Sequence, residues 1–337
     1  MIERLGKRTF ALTDVFAIAG GSIVGEMEGQ GPLGNYFDKV LQDDLFNQKS
    51  WEKAENKMFQ FAVKTALEKC NTQMDDVDCL IGGDLLNQII SSSFAARELN
   101  MPFLGIYGAC STFSEGLLLG GLLIGSKGMD CVVAATSTHF STAERQYRTP
   151  LELGTGRPPT SQHTTTAAGA CVLKNAGKGP KLTHCTLGKV IDWGIKDANN
   201  MGAAMAPAAA DTIATHLLET SKAPKDYDYI VTGDLGHHGS EVLIKLLKQR
   251  GFDISSNHAD CGIEIYADDA DVQSGGSGCG CSAVVFSAYF LKQLMDASVK
   301  NLLLVSTGAL LSPTSSLQGE SVPGIAHAVA FAACEEG

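Results

Sequence analysis

Gly108-Ala109-Cys110-Ser111-Thr112 lies between an apolar run, Phe103 to Tyr107, and a longer one that opens at Phe113. A cysteine in that place stands just ahead of a helix, where unpaired N–H groups and the positive helix end favour a thiolate or a bound carboxylate. Thr112-x-x-Glu115 fits a capping box for the start of that helix. The small neighbours Gly108 and Ala109 leave room for a ligand to approach. The same spacing also suits a structural cysteine buried at a strand–helix junction, so the residue types keep both readings open.

Other side chains could serve an acidic ligand. Arg145 and Arg148 are three residues apart and can share a helical face. Their guanidinium forks match carboxylates bidentately, unless Glu144 or Glu152 pairs with them at the surface. His139 can donate to a carboxylate or stand as a satisfied core histidine. Asp84 and Asp234 occupy equivalent places after two similar strands, which favours a structural job of holding a strand–helix turn. Asn87 either shares that job or lines the pocket, and His237 and His238 read as loop residues. Gly275 to Gly280 lacks the Lys and spacing of a phosphate loop and reads as a packing turn. Cys279 and Cys281 form a C-x-C with no second pair at metal spacing, so neither zinc nor another metal is expected.

These residues must be positioned by a duplicated framework. Asp78-Cys79-Leu80-Ile81-Gly82-Gly83-Asp84-Leu85 reads against Asp228-Tyr229-Ile230-Val231-Thr232-Gly233-Asp234-Leu235, 150 residues later at every position. Cys110-Ser111 and Asp130 recur as Cys281-Ser282 and Asn301, both 171 residues later, so the second copy carries 21 extra residues between Asp234 and Cys281. Trp51, Ala54, Met58, Phe61, Ala62 and Ala66 fall on one helical face before the first repeat strand, as Ala209, Ile213, Leu217 and Leu218 do before the second. A capped helix is expected from Ser240 to a stop at Gly251. Helices alternating with short β-rich runs predict a mostly parallel, buried sheet in each copy and a layered sandwich with pseudo-twofold symmetry.

Composition narrows the function classes. At 337 residues with 44% hydrophobic and 19% charged residues, the chain can bury a full core. Its net charge of −11 argues against a nucleic-acid partner. The longest apolar stretch, Gly116 to Gly125, is too short to cross a bilayer, and Met1 to Thr9 lacks the apolar core of a signal peptide. Ten scattered cysteines, several inside apolar runs, are expected to remain free thiols in a reducing compartment.

The Cys110 turn, the duplication and Ala168-Gly169-Ala170-Cys171-Val172-Leu173 together resemble the thiolase superfamily, whose members carry a nucleophilic cysteine where Cys110 stands. Within it, Gly31-Pro32-Leu33-Gly34, Gly83-Asp84-Leu85-Leu86-Asn87-Gln88, Thr142-Ala143-Glu144-Arg145-Gln146, Met205-Ala206-Pro207-Ala208-Ala209-Ala210-Asp211-Thr212 and Thr307-Gly308-Ala309-Leu310-Leu311-Ser312-Pro313-Thr314 resemble the stage V sporulation protein AD family. The resemblance implies an α/β fold, a duplicated five-layer α-β-α-β-α sandwich with halves at 1–176 and 177–337. It implies binding of dipicolinic acid (pyridine-2,6-dicarboxylate), alone or as its calcium chelate, without a cofactor. It also implies partnership with membrane proteins of the sporulation protein VA (SpoVA) assembly on the cytoplasmic side of the forespore, peripheral to the inner membrane, with roles in sporulation and spore germination. A homodimer is expected by analogy.

Thiolases place a His, and the third ketoacyl synthase class an Asn, in the Gly-rich turn where Ser277 stands here, and the second thiolase cysteine has no match in Thr307-Gly308-Ala309-Leu310. His327 should lie on the same seam by the superfamily arrangement. The implied pocket therefore comprises Cys110, Asn87, His139, Arg145, Arg148, Ser277, Cys279 and His327, equipped to bind more than to condense. The alternative is a condensing or acyl-transfer enzyme with Cys110 as nucleophile.

Overall fold

The computed structural model describes residues 1–147, 156–267 and 271–334. The apolar runs that show no alternation in sequence become strands covered on both faces. Cys131–Thr138 is buried along its whole length. Val132 and Ala134 face a central helix layer with Phe113 and Leu117, while Val133 and Ala135 pack against Met58 and Phe59 of helix Trp51–Lys69. The second copy repeats the division. Leu302 and Leu304 of strand Asn301–Ala309 turn to the central layer, and Leu303 and Val305 meet Met205 and Ile213 of helix Met201–Thr220. Each such Val, Leu, Ile, Met or Phe side chain contributes about 1.5–3 kcal/mol on full burial.

Strand Cys79–Gly83 pairs parallel with Phe103–Gly105 and with Cys131–Thr138, which runs antiparallel to Ala167–Lys174, itself antiparallel to Phe16–Val24. In the second copy, Tyr229–Thr232 pairs parallel with His258–Asp260 and Asn301–Ala309. Gly324–Ala332 and Lys181–Thr186 then follow, each antiparallel to its neighbour. The sheets are therefore mixed, not mostly parallel: the crossovers through helices in each copy give parallel neighbours, and the last strands return antiparallel. The two strand sets meet where Lys181 pairs with Phe16. Between them lie helix Thr112–Gly125 and the helical stretch 279–295, which contains a π-turn at Phe286–Phe290. Outer helices, sheet, central helices, sheet and outer helices make the expected five layers.

Three local expectations change. Leu218 points outward at 67% exposure, because the buried face of its helix continues through Ala214 and Leu217. The helix expected to open at Ser240 begins at Gly236, so His237 and His238 occupy its first turn and not a loop. The Thr112–Glu115 capping box does not form. Thr112 Oγ1 instead accepts from the Gly108 N–H at 3.0 Å and donates to the Ala109 carbonyl at 2.6 Å. Among the described residues no helix is long and apolar enough to cross a membrane.

Candidate functional site

The carboxyl ends of the parallel strands carry the turns that converge on Cys110, the place where open α/β sheets present their ligand sites. Strand Phe103–Gly105 leads into Gly108-Ala109-Cys110, and Ala109 takes the left-handed conformation (φ 50°) that turns the chain sharply into helix Thr112–Gly125. The Ser111 N–H donates to the Gly108 carbonyl at 3.1 Å and the Thr112 N–H to the Ala109 carbonyl at 3.3 Å. These first donors are spent inside the turn. From the other copy, Gly308 backs directly onto this turn: a Cβ there would overlap the Gly108 carbonyl oxygen and crowd the N–H groups of Cys110 and Ser111.

Cys110 Sγ lies 3.8 Å from Ser277 Oγ, which donates to the Asp234 carboxylate at 3.0 Å. Asp234 also accepts from the Gly278 N–H at 3.0 Å and from the Thr307 hydroxyl at 2.7 Å. Burial first, and the Asp234 charge second, push the thiol well above its ordinary value. Burial likewise raises Asp234. Of the readings left open for Cys110, this environment favours the buried thiol over the thiolate. The positive helix end is weak beside burial and the Asp234 charge, and the Ser111 and Thr112 amides are already engaged.

The two aspartates that match in sequence do different work. Asp84 holds its turn as expected, accepting from the Leu86 N–H at 2.8 Å and from the Ser92 N–H and hydroxyl, both at 2.7 Å. At the second turn Asp260 has that task, accepting from Leu235 and Gly236 N–H groups at 2.8 and 3.0 Å. Asp234 is released to face Cys110. Beneath the first turn, Glu55 is wholly buried between the Ser137 and Thr142 hydroxyls, and burial together with the nearby Asp84 charge pushes it up to about 8.

A cavity of about 40 Å³ opens beside Cys110, walled by Leu85, Tyr107, Ala109, Ala143, Glu144, Tyr147, Thr164, Met201, Ser277, Ala309 and Leu311. Cys279 lies in the packing beneath it, with its thiol donating to the Ser137 carbonyl at 3.2 Å. Asn87 lines an adjoining outer groove of about 430 Å³. The remaining candidates stand elsewhere. Arg145 is paired with Glu52 and lies over the Trp51 ring, because its exposed helix face turns toward helix Trp51–Lys69. Arg148 lies outside the described residues. His139 Nε2 donates to the Asp44 carbonyl at 2.6 Å, its Nδ1 accepts from the Ser141 N–H, and it borders a separate cleft near Glu28. His327 Nδ1 accepts from the Gly188 N–H at 3.2 Å, and burial pushes it down to about 4. Both histidines bond to backbone groups, and neither borders the Cys110 cavity. No Lys or Arg among the described residues does so either.

The sequence reading missed Tyr107 and Tyr147. Tyr107 stands three residues before Cys110 and Tyr147 two after Arg145, so proximity to the residues already singled out was the available signal.

The sequence pattern of the family described as stage V sporulation protein AD (SpoVAD) matches residues 6–332. The chain belongs to the stage V sporulation protein AD family. Stage V sporulation protein AD of Bacillus subtilis (strain 168) is 44% identical over 327 residues, 97% of each chain. Among solved structures, human mitochondrial 3-ketoacyl-CoA thiolase in complex with CoA aligns at a TM-score of 0.62 over 99% of this chain and 100% of that one, at 14% identity. The 3-oxoacyl-[acyl-carrier-protein] synthase III of Aquifex aeolicus aligns at 0.58 over 94% and 99%, also at 14% identity. At that identity the likeness speaks to the fold alone, which is thiolase-like.

Proposed function

We propose that this sporulation-family chain binds dipicolinic acid at the Cys110 seam without transforming it. In this reading it delivers the acid to SpoVA membrane partners on the cytoplasmic side of the forespore. The observation that carries the reading is the Cys110–Ser277–Asp234 chain. Condensation or acyl transfer needs a thiolate and a group that generates it. Here the thiol meets a hydroxyl, which is a poor base, and a carboxylate whose charge opposes ionisation of the sulfur. Were Asp234 to take the thiol proton, a buried thiolate would be left with no described cation beside it.

Holding a flat aromatic acid asks for an apolar slot and a few directed donors; Leu85 and Leu311 wall such a slot, and the phenols of Tyr107 and Tyr147 line it. Charge balance must then arrive with the ligand. Glu144 is already paired with Arg157 at 3.4 Å, and the cavity wall carries no Lys or Arg among the described residues, so a dianion facing the buried Asp234 carboxyl lacks a counter-charge and the bound species is the protonated acid or its calcium chelate. Calorimetry with dipicolinate, with and without calcium, should give a saturable isotherm that strengthens with calcium or at lower pH; a flat titration at millimolar ligand contradicts binding. Mass spectrometry after incubation with acetyl-CoA should leave Cys110 at its unmodified mass, and a stable acetyl adduct there would favour the condensing enzyme.

A further inference from the structure

The cavity beside Cys110 measures about 40 Å³. A cavity of about 150 Å³ takes one benzene ring, and pockets for larger ligands run to about 300 Å³ or more. The neighbouring groove, at about 430 Å³, reaches that size, and among the described residues the two spaces share Tyr107, Tyr147 and Leu311 as walls. The Tyr147 hydroxyl donates to the Leu85 carbonyl at 2.6 Å, so its oxygen receives the Tyr107 hydroxyl, 2.9 Å away. Gln146 ties the same helix end to the same turn: its amide donates to the Leu85 carbonyl, and its Oε1 accepts from the Asn87 N–H.

From this geometry we infer that Tyr107 and Tyr147 form a two-hydroxyl latch between the groove and the Cys110 cavity, and that opening it joins the two into one site for a planar aromatic carboxylic acid. The inference rests on reading the Cys110 seam as the ligand site and names the residues that position the ligand there. A closed latch satisfies each phenol with a protein acceptor. An open latch frees both O–H groups to donate to an incoming carboxyl group, and the rings then flank the ligand's faces while the groove supplies the volume. Tyr107 is already 45% exposed, so it can swing toward solvent at small cost.

The rate at which a small neutral alkylating reagent labels Cys110, located by peptide mass spectrometry and followed against pH, reads the latch without any ligand. Tyr147→Phe removes both hydrogen bonds of its hydroxyl and should raise the high-pH plateau rate roughly tenfold, the effect of one or two lost hydrogen bonds on an opening equilibrium. Tyr107→Phe removes only the shared bond and should give a smaller rise, and it covers the case in which the first variant folds poorly. The midpoint of the pH profile should stay in place in both. Wild-type plateau rates in both variants, or a shifted midpoint with an unchanged plateau, would overturn the latch. Dipicolinate should slow labelling of the wild type. Acceleration in Tyr147→Phe without protection by dipicolinate supports the latch and removes the ligand assignment. Protection by dipicolinate with wild-type plateau rates in both variants keeps the ligand and removes the latch.

Discussion

Asp234→Ala should destabilise the protein by roughly 2–5 kcal/mol, read by urea or thermal denaturation at neutral pH. The carboxyl group accepts from Ser277, Gly278 and Thr307 in a fully buried place. Truncation strands three donors, each costing about 1–3 kcal/mol unless a water enters. Relief of the desolvated charge offsets part of this, since burial already raises Asp234 above its ordinary range. Asp234→Asn separates the two contributions. Its amide can still accept from Thr307, and Ser277 can rotate to accept from Nδ2, but the Gly278 N–H cannot reverse and stays unpaired. The amide should therefore cost less than alanine while removing the charge that opposes ionisation of Cys110. A change below about 0.5 kcal/mol for Asp234→Ala would show the network to be replaceable by solvent.

Gly308→Val should have a comparable effect by a different route. The position allows the end of strand Asn301–Ala309 to back onto the Gly108 carbonyl, so any Cβ forces backbone against backbone. Inserting carbon into a well-packed interior costs roughly 1–3 kcal/mol even where side chains can yield, and the peptide of Gly108 has nowhere to move. The melting temperature should fall by several degrees. Saturable dipicolinate binding should weaken alongside it, because the displaced turn carries Cys110. An unchanged melting temperature with unchanged binding would mean that the two segments are not in the contact described.

Much of this arrangement was legible in the sequence. The 150- and 171-residue offsets give the duplication, and the unbroken apolar strands, buried on both sides, give the layers. The turn carrying Cys110 sits at its expected strand–helix junction because Gly108-Ala109 permits one sharp bend. Side-chain direction was not legible. Asp84 and Asp234 look interchangeable in the chain, yet Asp260, three-dimensionally adjacent but 26 residues downstream of Asp234, takes over the second turn. Arg145 was placed by residue type as a carboxylate binder, and it does bind one, but that one is Glu52. His139 and His327 are held by backbone groups that only the folded chain brings near. In each case the deciding partner is distant in sequence, and local patterning carries no record of it.

The most direct test of a site that holds without transforming is the ionisation of Cys110. Its thiol should titrate above the ordinary cysteine value, because it is buried and faces Asp234 without a described cation. Followed by pH-dependent alkylation of the native protein, the Cys110 midpoint is expected well above that of an ordinary cysteine. A midpoint near or below neutrality would mean a ready nucleophile and would return the site to acyl chemistry.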